Sequence, residues 1–123
     1  MSIQARLESK KKYKTSAKGI AKAKARYLVR RKHILAGMRE RWLFNQYGLS
    51  LDEYEALLAK QDHRCAICLK PQKDFKRNLA VDHNHETGHV RGLLCFHCNS
   101  GIGHFDESLT TLRRAEDYLA KEI

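Results

Sequence analysis

A chain of 123 residues with four cysteines, 42% hydrophobic and 31% charged residues and a net charge of +10 is expected to form one small domain with at most an appendage. A core of that size commonly leans on a metal or on disulfides. Met1 to Arg6 form no apolar leader, and no stretch approaches the roughly 20 apolar residues of a membrane span, so secreted and membrane-spanning classes are set aside and a cytoplasmic protein is expected. The charge is uneven: residues 1–48 carry +12 and residues 49–123 carry −2. Such a surplus points to a polyanionic partner, nucleic acid first, against the plainer alternative of a solvated helix face or disordered tail. The division predicted from it is a basic segment, 1–48, and a second domain, 49–123.

In chain order, residues 1–15, with Lys10-Lys11-Lys12-Tyr13-Lys14, read as a mobile basic arm. From Ser16 to about Tyr47 strong helix formers dominate. The apolar residues Ile20, Tyr27, Leu28, Ile34, Leu35, Met38, Trp42 and Leu43 recur near helical spacing. Gly19 or Gly37 is a candidate bend or break. Lys22, Lys24, Arg26, Arg30 and Arg31 are the expected phosphate contacts, and two such segments facing each other would make a homodimer seam. Gly48 is a helix stop. Leu49-Ser50-Leu51-Asp52-Glu53-Tyr54 then has the form of a capping box with a hydrophobic staple. It predicts a helix to about Gln61 that buries Leu51, Tyr54, Leu57 and Leu58. Pro71 to Asn78 reads as a loop. A last helix is predicted from Ser108 to about Lys121, with Leu109, Leu112, Ala115 and Leu119 on its inner face.

All four cysteines fall in two C-x2-C pairs, Cys65/Cys68 and Cys95/Cys98. Four thiolates at that spacing suit a closed tetrahedral zinc, which is structural rather than catalytic. Disulfides are the alternative. His97, inside the second pair, is a further candidate ligand but is expected to point outward. The 26 residues between Cys68 and Cys95 exceed the usual ribbon insert and carry the remaining chemistry. Leu79-Ala80-Val81 is a predicted strand, Glu86-Thr87-Gly88 a turn and His89 to Leu94 a second strand. A helix opening at Cys95 to Asn99 completes an α+β ββα arrangement pinned by zinc, with flanking helices and the long basic N-terminal helix.

Phosphodiester hydrolysis needs a hard divalent cation and a base for water. The Asp82 carboxylate and the Asn99 amide oxygen suit magnesium or manganese. Histidine is the side chain suited to act as base near neutrality, and His83 adjoins Asp82. Neighbours in a strand point to opposite faces, so both reach one centre only if the strand bends there. His85 lies nearest the face of His83, and Arg91 could hold a phosphate oxygen bidentately. The same residues also admit plainer roles: surface histidines, a second structural zinc on Asp82, His83 and His85, or Asn99 as a cap.

The run from Val81 to Asn99, with Asp82-His83-Asn84-His85, Val90-Arg91-Gly92-Leu93-Leu94 and Cys95-Phe96-His97-Cys98-Asn99, closely resembles the recombination endonuclease VII family of phage-type HNH (His-Me finger) nucleases, over about Tyr47 to Tyr118. The resemblance implies structural zinc on Cys65, Cys68, Cys95 and Cys98, catalytic magnesium on Asp82 and Asn99, His83 as general base and His85 lining the site. It also implies a phage or prophage DNA endonuclease acting in the bacterial cytoplasm, typically a dimer that cuts branched DNA. Some relatives carry a carboxylate three positions after the asparagine, where Ile102 stands here. The sequence runs only shortly past Tyr118, so the long C-terminal dimerisation and junction-binding region of the founding type is not expected. A junction resolvase is the favoured subtype. A nicking or sequence-tolerant HNH endonuclease and a non-catalytic zinc-ribbon nucleic-acid-binding module are the rivals.

Overall fold

The computed structural model describes residues 2–121 and is α+β, with five α-helices and a two-stranded antiparallel sheet among the described residues. It divides into two compact units, residues 1–42 and 43–123.

In the first unit, residues expected to form a mobile arm are helical. α1 spans Ile3–Thr15, started by Ser2, whose hydroxyl accepts from the Ala5 N–H at 3.2 Å. Helix-forming lysines, glutamate and leucine with no interior glycine or proline favour this outcome despite the charge. α2, Ala17–Tyr47, follows after a break at Ser16, not at either glycine. The Ser16 hydroxyl donates to the Tyr13 carbonyl at 2.6 Å and accepts from the Gly19 N–H at 3.1 Å, so one side chain closes α1 and caps α2. Gly19 permits that approach: a Cβ there would lie 1.9 Å from the Tyr13 carbonyl oxygen.

In the second unit, Gly48 ends α2 at φ +68° with its N–H on the Phe44 carbonyl, a conformation in which a side chain is strained. α3, Leu51–Lys60, begins with the predicted capping box. Glu53 N–H donates to the Ser50 hydroxyl at 3.1 Å, and the Glu53 carboxylate accepts from Ser50 N–H at 2.7 Å. α3 buries Tyr54 and Leu58 and half-buries Leu51 and Leu57, as its spacing required. The Tyr54 hydroxyl donates to the Leu79 carbonyl at 2.7 Å, tying α3 to the chain that enters the sheet. The predicted loop after Pro71 includes a single 3-10 turn, Gln72–Asp74.

β1, Ala80–His83, pairs with β2, Val90–Leu94. β1 is thus set about a residue or two later than Leu79-Ala80-Val81. The Asn84 side chain makes the turn by accepting from Glu86 and Thr87 N–H at 2.8 and 3.2 Å. α4, Phe96–His104, starts at Cys95 and packs on both strands. The core joins Leu43, Tyr54, Leu58, Leu79, Val81, Leu93 and Leu94 with Cys65 and Cys95. Burial of each such aliphatic side chain is worth about 1.5–3 kcal/mol. Gln61 lies beside β2: its amide accepts from Leu93 N–H and donates to the Leu93 carbonyl, both at 2.9 Å. α5, Leu109–Leu119, is capped by Ser108, but its predicted inner face is only half right. Leu112 and Ala115 are half-buried, whereas Leu109 and Leu119 are 69% and 81% exposed, because the core is too small to reach either end of the helix.

Candidate functional site

The sulfur atoms of Cys65, Cys68, Cys95 and Cys98 all lie within 4.8 Å of one another. Two turns bring them there. After Cys65 the chain reverses through Leu69 at φ +60°, with Leu69 N–H on the Cys65 carbonyl and Cys65 N–H on the Lys70 carbonyl. At the other pair, the Cys95 sulfur caps α4 by accepting from Cys98 N–H. Burial raises the Cys65 thiol, but N–H groups of Cys95, Cys68 and Ile67 outweigh it and leave the group at about 6. Cys98 is pushed up to about 12 by burial and by the sulfurs of Cys95, Cys65 and Cys68. Cys65 thus ionises more readily than Cys98, and gathering four thiolates this close calls for a compensating cation. That donor set fits a thiophilic dication, and the cluster is compatible with structural zinc. His97 is exposed and packs its ring edge-on against Phe96, centroids 5.9 Å apart, outside the sulfur cluster. Among the described residues, no second set of three or more His, Cys, Asp or Glu side chains has metal-holding spacing.

A β-bulge falls between Asp82 and His83. Asp82 pairs with Gly92 and His83 with Val90, so Arg91 is the extra residue in β2. A bulge of this kind kinks and twists the pair and re-aims the side chains. The Arg91 guanidinium turns back onto β1, with Nε 2.7 Å and Nη2 3.1 Å from the two Asp82 oxygens and Nη2 3.3 Å from the His83 carbonyl. Asp82 is the only buried charged residue among those described, at 7% exposure, and Arg91 is its counter-charge. Arg91 also meets Glu107 at 2.9 Å. Its ionisation is pushed up, first by its hydrogen bond to Asp82 and then by that to Glu107. The other Glu107 oxygen lies 3.3 Å from His85 Nε2.

His83 is half-buried, with the His85 ring centroid 4.6 Å away and Tyr47 edge-on at 5.3 Å. Asp82, His83, His85 and Arg91 thus assemble at one end of the hairpin. Asn99 is half-buried one turn into α4 and lines a different cavity, with Phe96 and His97. Lys22, Lys24, Arg26, Arg30 and Arg31 are all exposed on α2.

Two contributors carry no local signal in the sequence. Tyr47, at the end of α2, reads as a helix terminus and carries no signal for its contact with His83. Glu107 sits in the turn between α4 and α5, where Asp106 and Glu107 take φ values of 52° and 53° and Glu107 N–H bonds to the Ile102 carbonyl. In sequence it looks like an acid beside the Ser108 cap.

A four-cysteine cluster at the root of a hairpin whose bulge presents Asp82 and His83, followed by a helix begun by the last cysteine pair, defines a small cysteine-stapled ββα module. The family model for recombination endonuclease VII matches residues 40–121, and the chain belongs to that family. It is 47% identical over 76 residues to the Gene 59 protein of Mycobacterium phage D29, covering 61% of this chain and 46% of that protein. To the Gene 59 protein of Mycobacterium phage L5 it is 43% identical over 74 residues, covering 59% and 44%. The match thus spans just under half the length of each curated relative. No solved structure matches the chain. No helix among the described residues is long and apolar enough to cross a membrane.

Proposed function

We propose that this chain is a divalent-cation-dependent DNA endonuclease of the HNH class, with branched DNA as its favoured substrate and the four cysteines holding structural zinc. Family membership supports a nuclease. The observation that supports the assignment within this chain is the bulge between Asp82 and His83 at the hairpin end, beside a buried carboxylate neutralised by Arg91. Asp82 and Asn99 would hold magnesium or manganese through oxygen. When bound, that ion supplies a hard positive charge against the scissile phosphate.

The remaining steps belong to protein groups. His83, braced by Tyr47 and His85, takes a proton from water. The water oxygen bonds to phosphorus as the bond to the leaving oxygen breaks, and that oxygen is protonated from solvent. Arg91, with its side chain 38% exposed, keeps an open side toward a phosphate oxygen. Residues 1–48 would grip the DNA backbone through Lys22, Lys24, Arg26, Arg30 and Arg31, while 49–123 carries the nuclease. Ile20, Tyr27, Leu28, Ile34, Leu35 and Met38 on α2 are half or more exposed, which supports a homodimer seam.

One observation favours a second reading, a non-catalytic zinc-bound nucleic-acid module. Asn99 and Asp82 line different cavities, and no hydrogen bond joins them. Cleavage of supercoiled plasmid and of a synthetic four-way junction, with and without magnesium, by wild type and His83→Ala separates the two. Magnesium-dependent cutting lost in His83→Ala is expected. Binding without cutting by both proteins, across several divalent ions, would leave the second reading.

A further inference from the structure

A cavity of about 520 Å³ opens between the loop after the 3-10 turn and the first turn of α4, a volume in the range of small-ligand sites. It lies apart from the Asp82–Arg91 pair. Phe96 lines it at the first position of α4 with 66% of its surface exposed. That ring sits between Cys95 and Cys98 in sequence, so the sulfur cluster fixes the backbone that presents it. His97 packs edge-on against it at 72°, and Phe75, half-buried against the core, also lines the cavity. Lys76 and Arg77 are exposed along the loop side. Asn78, Asp74 and Asn99 add amide and carboxylate groups to the lining.

We infer that this cavity receives one unpaired nucleotide of a DNA strand, its base against Phe96 and its flanking phosphate against Lys76 and Arg77. The inference rests on the reading of the chain as a protein that acts on DNA, and it names a feature of the substrate. An exposed aromatic on a rigid turn with two cations beside it is the combination that binds single-stranded nucleic acid, the ring by stacking and the cations through the backbone. An apolar ligand would not call for Lys76 and Arg77, and a simple anion would not call for Phe96. Inside a duplex each base is covered on both faces by its neighbours, so an aromatic side chain finds a free face only at a junction, flap, bulge or strand end. Asn78 and Asp74 provide a donor and acceptors for the base edge. Asn99, which lines this cavity, is the residue it has in common with the proposed cation site.

The test uses the full zinc-loaded chain without added magnesium, so that no strand is cut. Fluorescence anisotropy measures affinity for a short oligothymidine and for a blunt duplex, with wild type, Phe96→Ala, Phe96→Trp and Lys76→Ala/Arg77→Ala. Phe96→Ala is expected to weaken oligothymidine binding roughly five- to a hundredfold and to leave the duplex unchanged. Phe96→Trp should retain the single-strand affinity. The double variant should lose oligothymidine affinity and have a smaller salt slope. Zinc content and circular dichroism are matched to wild type first, and a Phe96→Ala protein that fails this check is replaced by Phe96→Leu, which keeps bulk without a stacking face. Unchanged oligothymidine binding, or equal loss on both DNAs, overturns the proposal. Plasmid cleavage is scored separately. A protein that never cuts but shows the Phe96 effect keeps this pocket and loses the nuclease reading, whereas one that cuts without the Phe96 effect keeps that reading and loses the pocket.

Discussion

Replacing Arg91 by alanine removes the counter-charge of the buried Asp82 carboxylate and tests whether the bulge is built around that pair. A fully buried ion pair broken on one side costs about 3–5 kcal/mol, and an exposed pair about 0.2–1 kcal/mol. The Asp82–Arg91 pair lies between these limits, with side chains 9% and 38% exposed and separations of 2.7 and 3.1 Å. Discounted for the solvent around Arg91, the expected loss is about 2 kcal/mol, roughly a thirtyfold fall in the folded-to-unfolded ratio. Urea unfolding followed by circular dichroism, with zinc present and magnesium absent, measures it for wild type, Arg91→Ala, Asp82→Asn and the double variant. The two changes should be less than additive by about 1 kcal/mol or more, because each removes the same ion pair. Added magnesium should then stabilise Arg91→Ala more than wild type, since a cation at Asp82 replaces the missing charge. Strict additivity, with Arg91→Ala within about 0.5 kcal/mol of wild type, would refute the pair as a structural element.

Chelation of zinc should unfold residues 43–123, since such sites bring on the order of 10 kcal/mol to folding; circular dichroism that survives chelation would exclude a structural metal. Zinc affinity should rise with pH, because Cys98, pushed up to about 12 by burial and the neighbouring sulfurs, must shed its proton to bind; equal affinities in a competition titration at mildly acidic and mildly alkaline pH would contradict this. Neutralising Lys22, Lys24, Arg26, Arg30 and Arg31 together should flatten the salt dependence of duplex binding, by up to about 0.9 in slope for each phosphate that no longer meets a cation. An unchanged slope would move the grip to residues 43–123. Glu107→Gln should slow magnesium-dependent cleavage roughly tenfold or more by releasing His85 and Arg91, with zinc content unaltered; unchanged turnover would leave Glu107 a purely structural turn residue.

What could be read in advance follows the range of each interaction. The Ser50–Glu53 box and the stop at Gly48 depend on residues within one turn, and both are where the sequence placed them. The two cysteine pairs declare their own chemistry through spacing. The need for a bend at Asp82–His83 was also visible, from the alternation of side chains along a strand. Its origin was not, because a bulge shows only when two strands are set in register and Arg91 is found to have no opposite number. Tyr47 and Glu107 reach the site from 36 and 22 residues away from His83 and His85, and nothing local marks them. Residues 3–15 are helical because high charge density does not cancel the intrinsic helix preference of Lys, Glu, Leu and Ala. α5 shows the converse: its apolar spacing was sound, but periodicity does not say how far a small core extends.

The Gln61 amide has a consequence for the sheet as a whole. Its two hydrogen bonds to Leu93 are those a third strand would make at that residue, so one side chain stands in for a missing neighbour. Gly92 makes room for it: a Cβ there would come within 2.9 Å of Gln61 Oε1. A two-stranded sheet otherwise offers its outer backbone groups to any passing extended chain, the usual route to edge-to-edge aggregation. At Leu93 this template is already occupied, with the Ala66 N–H sharing the same carbonyl at 3.1 Å. Two copies of the protein are therefore steered away from pairing at Leu93, and Gln61→Ala would free the Leu93 N–H for a new partner while the Ala66 N–H still holds the carbonyl and every charged residue of the site stays in place.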